Sequence, residues 1–195
     1  PNQTTLAAKE NLLSFFGRAN YTLMDKYLLT VTVRADGSSK FAKGNQWGVF
    51  PSAALAWRIS DEQFMQNTRN WLSSLKLRLS YGTAGNNRIN SGLTYTAYSL
   101  SSNTARAPFF NGDRTSMMEL GSYLYNPKLK WETTVTRNFG IDYGFWNNRL
   151  SGSIDLYWNT TNDLLMKTEI PANAGYNYQY QNFGSTSNKG VELSM

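Results

Sequence analysis

The sequence predicts an all-β fold: an antiparallel, up-and-down transmembrane β-barrel segment of about eight strands that forms an open sheet. Three observations carry this. Most ordered stretches alternate apolar and polar residues with a period of two, and none sustains a helical period. Short and long connections alternate along the chain. The composition combines 14% aromatic with only 16% charged residues, while mean hydropathy is −0.49 because Asn, Ser, Thr and Gly abound. That mixture fits two polar compartments separated by a lipid belt.

Composition also excludes. No stretch approaches 18 consecutive apolar residues, so no transmembrane helix is expected, whereas a barrel strand crosses lipid with only ~9–11 residues, half of them polar. There is no Cys and no His. Disulfides, thiolate chemistry, the usual imidazole base and the commonest metal ligand are therefore absent. Net charge is +6 and the pI about 9.5. The basic residues Arg18, Arg34, Arg58, Arg78, Arg137 and Arg149 are scattered singly, so nucleic acid is not an expected partner. No cofactor, metal or catalytic residue is expected.

The first strand is read over Leu13–Leu23, with Phe15, Gly17, Ala19, Tyr21 and Leu23 on one face. Asp25-Lys26 reads as a tight turn into a second strand, Tyr27–Asp36, whose apolar face is Tyr27, Leu29, Val31 and Val33. Gly37–Gln46 is small, polar and basic, and is expected to be an exposed loop. A third strand covers Trp47–Ile59. Ser60–Met65 reads as a helical turn capped by Ser60 or Asp61. A fourth strand covers Trp71–Tyr81, and Gly82–Asn87 reads as its exit, since no Lys-Ser/Thr and helix follow as in a phosphate loop.

Residues 85–130 form a long irregular region with a short strand at Leu93–Leu100. In a soluble domain such a connection argues against the assignment; as an external barrel loop it is expected. The fifth strand is Lys130–Trp146, with Arg137 a blemish on its apolar face. Asn147-Asn148 reads as a two-residue turn, the sixth strand as Arg149–Asn159, and a loop over 162–187 leads to a last strand near Lys189.

The connections are thus short (25–26), long (37–46), medium (60–71), long (85–130), short (147–148) and long (162–187). Aromatics then sort by level. Tyr27, Trp57, Trp71 and Phe145 fall at the short-turn end, and Trp47, Tyr81, Trp131 and Trp158 at the long-loop end, as two lipid-interface girdles. Arg34, Arg58, Lys76, Arg78, Glu132, Asp142 and Asp155 are expected to face a lumen. Asp142 and Asp155 are placed near each other as a glycosidase pair would be, but read as polar lining paired with Arg and Lys. The loop aromatics Phe109, Phe110, Tyr176, Tyr178, Tyr180 and Phe183 are the candidate substrate contacts, because sugars stack on exposed rings and aromatics anchor interfaces.

The same strand grammar suits a soluble antiparallel β-sandwich, either a carbohydrate-binding module or a hydrolase, or a passive porin fragment. The discriminator is whether the apolar face is covered by a second sheet.

Phe15–Met65 (FFGRANYTLMDKYLLTVTVRADGSSKFAKGNQWGVFPSAALAWRISDEQFM) resembles the mid-barrel segment of SusC/RagA-type TonB-dependent outer-membrane transporters. So do Leu75–Asn87, Asn126–Leu165 and Asn188–Leu193 (NKGVEL), leaving only 93–125 as a variable region. The resemblance implies a 22-stranded barrel in the bacterial cell outer membrane, closed by an N-terminal plug. It implies a SusD-like surface lipoprotein as lid, TonB–ExbB–ExbD as energy source, and import of glycans, oligosaccharides or peptides. Residues 1–195 are then read as one partial barrel domain, with plug, signal peptide and C-terminal strands outside the chain.

Overall fold

In the computed structural model the described residues are 10–96, 98–101, 109–110, 113–114 and 117–195. Seven long strands make one antiparallel sheet: β1 (Leu12–Leu23), β2 (Tyr27–Ser38), β3 (Trp47–Arg58), β4 (Leu72–Asn86), β5 (Glu132–Phe145), β6 (Leu150–Asn162) and β7 (Ser185–Ser194). They pair strictly in chain order, the meander that consecutive hairpins produce. The expected eighth strand is not part of this wall. Leu93 lies in a turn, and the strand that follows, Tyr98–Ser101, pairs with Met117–Leu120 in a separate ribbon.

Directly opposed residues in an antiparallel pair share a face, so the register sorts the side chains. Tyr21, Leu29, Leu55, Leu79, Phe139, Leu156 and Val191 form one unbroken apolar row across all seven strands. One residue along each strand, Thr22, Leu28, Ala56, Arg78, Gly140, Asp155 and Glu192 form a row on the other face. Among the described residues no second sheet covers the apolar face: Leu79 remains 52% exposed and Val191 63%. A sandwich would bury both.

The turns differ from the sequence reading in length. Leu23 pairs with Tyr27 and Phe145 with Leu150, so the connections hold three and four residues rather than two. Met24 and Asp25 adopt positive φ, as do Trp146, Asn147 and Asn148. The apolar Met24 and Trp146 carry no turn signal, which is why the turns looked shorter.

The β3–β4 connection holds two 3₁₀ turns, Ile59–Asp61 and Gln63–Thr68, and neither Ser60 nor Asp61 caps them; the N-cap positions are Arg58 and Glu62, without side-chain cap bonds. β4 runs on to Asn86, because Gly82, Thr83, Ala84 and Gly85 pair with β5. A bulge sits where Gly144 opposes Ser74 and Phe145 opposes Leu72.

The packed core lies at the long-loop end of the sheet. Phe41, Phe50, Ile89, Leu93, Leu129 and Trp131 form it, with Tyr123, Leu165 and Tyr180 against it. The 37–46 loop is therefore not wholly exposed: Phe41 has no exposed surface at all. One large apolar side chain in a polar segment is enough to fold that segment inward. The 162–187 connection is also structured. Leu165–Glu169 pairs with Tyr178–Asn182, which adds Tyr123–Leu124 as a parallel third strand.

Candidate functional site

The polar face of the sheet carries a charged cluster. Arg78 on β4 bonds Asp142 of β5 at 2.8 Å and reaches across β5 to Asp155 of β6 at 2.9 Å. Lys76 lies 3.7 Å from Asp142. Arg58 stands directly opposite Lys76, with no ion pair among the described residues. Gly140 makes the long reach feasible. It is opposite both Arg78 and Asp155, and a Cβ there would lie 2.6 Å from Asp155 Oδ1 and 2.8 Å from Arg78. The two carboxylates are thus bridged by one guanidinium, in charge-assisted hydrogen bonds.

Arg34 and Glu132 do other work. Arg34 bonds Asp36 through its Nε at 2.8 Å and contacts Ser14 Oγ at 3.4 Å. Glu132 accepts from Asn86 Nδ2 at 2.9 Å and from the Leu165 backbone N–H at 3.0 Å, so it ties the wall to the hairpin of the last long connection.

Above the wall the long connections form a cap. Trp131 is not on the outer girdle level. It precedes β5, escapes that strand's alternation, and is only 8% exposed. Its ring lies 5.4 Å from Phe41 and 5.6 Å from Phe50, and its Nε1 donates to the Gln46 carbonyl at 3.0 Å. Phe50 in turn lies over Gly85, where any Cβ would overlap its ring. Asn182 mimics a strand edge: it accepts from the Lys130 N–H and donates to the Lys130 and Asp163 carbonyls, each at 2.9 Å. Asn126 donates to the Tyr180 carbonyl at 2.9 Å.

The loop aromatics divide. Tyr178 and Tyr180 are half-buried and edge-on at 6.0 Å, Tyr178 also packs on Tyr123 at 6.2 Å, and Lys167 Nζ sits 3.9 Å over the Tyr178 ring. These rings build the cap. Tyr176 is half-buried and Phe183 is 68% exposed. Phe109–Phe110 forms a two-residue strand with Asp113–Arg114; the side chains lie outside the described residues.

At the short-turn end the aromatics pair. Tyr27 stacks on Trp57 at 6.1 Å and Trp71 on Phe145 at 5.9 Å. Glu62, read from the sequence only as part of a helical turn and as a carboxylate beside Asp61, gathers three donors: the Tyr27 hydroxyl at 2.8 Å, Trp57 Nε1 at 3.1 Å and Lys26 Nζ at 3.1 Å. The Tyr27 hydroxyl first, then Lys26 and Trp57, hold its carboxyl below the ordinary glutamate range. A cationic residue beside an aromatic at a strand start, with a carboxylate in the facing connection, was the available signal.

The apolar face has two rims, and both run oblique to the strands. The long-loop rim lies at Leu13 on β1, eight residues above the shared apolar row at Tyr21, but falls to Val191 in that row on β7. The short-turn rim steps the same way: Trp57 aligns with Ile141 through Leu77, whereas Phe145 lies four residues beyond Ile141. At ~3.3 Å rise and ~4.8 Å strand spacing, the first drop corresponds to strands tilted by roughly 40° from the normal to the band. Transmembrane barrels tilt by about 35–45°. Trp47 (stacked on Phe15 at 6.1 Å), Tyr81 and Trp158 mark the long-loop rim, each about half exposed.

A meander with one tilted apolar band, one charged face and a loop cap defines a wall of an outer-membrane-type barrel. The family model described as "TonB dependent receptor-like, beta-barrel" matches residues 1–195, and the chain belongs to that family. It is 45% identical to the TonB-dependent receptor SusC of Bacteroides thetaiotaomicron, over 99% of this chain and 19% of that protein. It is 42% identical to the TonB-dependent receptor P26 of Formosa agariphila, over 94% of this chain and 18% of that protein. Among solved structures, the RagAB peptide transporter superposes with a TM-score of 0.83 at 36% identity, covering 95% of this chain and 20% of that one. The siderophore receptor PirA of Pseudomonas aeruginosa shares the fold alone, with a TM-score of 0.59 at 17% identity. The chain spans about a fifth of the length of the curated relatives it matches.

Proposed function

We propose that this chain is a stretch of wall and loop cap in an energised outer-membrane importer of glycans, oligosaccharides or peptides. The tilted apolar band carries the reading. In it, the Leu29–Leu55–Leu79 row meets lipid, the Arg78 cluster lines the lumen, and the Phe41–Trp131 cap faces the cell exterior. The relatives support the import role: one is a TonB-dependent receptor and another a peptide transporter. The chain's own part is mechanical. The wall holds a fixed charged lining, and the cap positions loop residues such as Phe183 and Tyr176 toward substrate and toward a SusD-like surface lipoprotein. Energy would come from TonB–ExbB–ExbD through a plug held by the rest of the protein. No residue here has a catalytic role.

The chain lacks Cys, which makes labelling clean within it. In the full-length protein in outer membranes, Leu79→Cys should react with a lipid-soluble maleimide and Ser80→Cys with a water-soluble one. The opposite pattern would reject the wall orientation. Uptake of labelled oligosaccharides and peptides by cells should vanish on deletion of either the transporter or TonB; TonB-independent uptake would reject the energised reading.

A further inference from the structure

The strands segregate charge almost completely. Every carboxylate within them, Asp36, Glu132, Asp142, Asp155 and Glu192, lies on the polar face. The apolar face carries no carboxylate and two cations, Arg137 and Lys189. They are not scattered. Tyr81, Arg137, Trp158 and Lys189 occupy one register row on four adjacent strands. The Arg137 guanidinium sits 6.0 Å from the Tyr81 ring and 5.4 Å from the Trp158 ring. Trp158 is held by a 3.0 Å bond from its Nε1 to Ser187 Oγ. Lys189 is directly opposite Trp158, so the two cations are one strand apart, roughly 10 Å between backbones.

Their height is informative. The oblique long-loop rim passes through Trp158, so Arg137 lies just on the apolar side of it and Lys189 just beyond it. Next to them, toward the short turns, is the row Leu79, Phe139 and Leu156. There the small Ala53 leaves a shallow apolar hollow bounded by Leu29, Leu55 and Leu79. Neither cation makes an ion pair among the described residues, whereas Lys76, Arg78 and Arg34 on the other face all do. Two neighbouring cations beside an apolar hollow are complementary to an anionic head with hydrocarbon tails.

We propose that Arg137 and Lys189, framed by Tyr81 and Trp158, bind the phosphate-bearing headgroup of an outer-leaflet lipid whose acyl chains lie over the Leu79–Phe139–Leu156 row. The proposal rests on the reading that this face meets lipid. A lipid held at this point fixes the rotation and height of the wall at the level of the loop cap.

The test uses the full-length protein extracted from outer membranes in mild detergent, with native mass spectrometry of co-purified phosphorylated lipid. Wild type should retain the lipid, and Arg137→Gln with Lys189→Gln should lose it by roughly fivefold per cation removed, the weight of one basic residue at an anionic surface. Arg18→Gln, on the polar face, should leave retention unchanged. Equal retention by wild type and the double variant overturns the site, provided unboiled gels report both as folded. Displacement of the lipid from wild type by inorganic phosphate alone also overturns it, since the site would then be one for free anions. A spin label at Leu79→Cys separates the two readings. Quenching by lipid-soluble reagent with equal retention rejects only the headgroup site, whereas quenching only by water-soluble reagent rejects the membrane orientation as well.

Discussion

Gly140 shows how one missing methyl organises the charged wall. Arg78 crosses a whole strand to Asp155 because nothing projects from the position between them. Gly140→Val should force the guanidinium aside and destabilise the wall by about 1–3 kcal/mol, the usual cost of overpacking, measured as a shift in the urea unfolding midpoint in lipid vesicles. Unchanged stability would mean that the bridge is incidental. Glu62 offers a pH test. Its carboxyl is held below the ordinary glutamate value of 4.5, first by the Tyr27 hydroxyl. A depressed acid contributes stability that is fully present above its unfolded value and lost as pH falls through its folded value. Unfolding midpoints should therefore drop below about pH 4.5 more steeply in wild type than in Glu62→Gln. Parallel pH profiles would reject the clamp.

Among elements, the alternating strands were fully legible, because a period of two survives any choice of solvent. Their ends were less so. Thr83 and Ala84 pair with β5, yet the glycines flanking them look like loop. The cap was hidden for a different reason. Phe41, Leu129 and Tyr180 lie in segments rich in Gly, Asn and Lys, and only their meeting in space makes a core. Tyr178 and Tyr180, read from the sequence as candidate substrate contacts, pack on each other edge-on. Phe41→Ala should cost the cap about 3–5 kcal/mol, as a fully buried Phe does. The expected readout is faster proteolysis within 39–46 and 163–183 in the full-length protein, with strand content unchanged. Loss of strand content together with the cap would mean that cap and wall are one cooperative unit.

For the whole molecule, the sequence already contained the tilt. Apolar residues end higher on β1 than on β7, but that slope appears only after register aligns the strands. Arg137 looked like a flaw on one strand; beside Trp158 and Lys189 it marks a level. Among the described residues the sheet ends at β1 and β7 with unpaired edges, and no second sheet covers its apolar face. Residues 1–195 produced alone should therefore sediment as aggregates in plain buffer and require detergent or lipid. A monodisperse monomer with a cooperative thermal transition in buffer would overturn the wall assignment.

The cap also dictates an order of assembly. The longest connection in the wall lies where β4 meets β5, across the 45 residues 87–131. Phe41 and Phe50 cannot touch Trp131 until that pairing has closed, because Trp131 enters only at the base of β5. Local hairpins form first, and contacts distant in sequence follow. The cap is thus completed last, and a protein stalled before β4–β5 closure would present a formed half-wall and no cap at all.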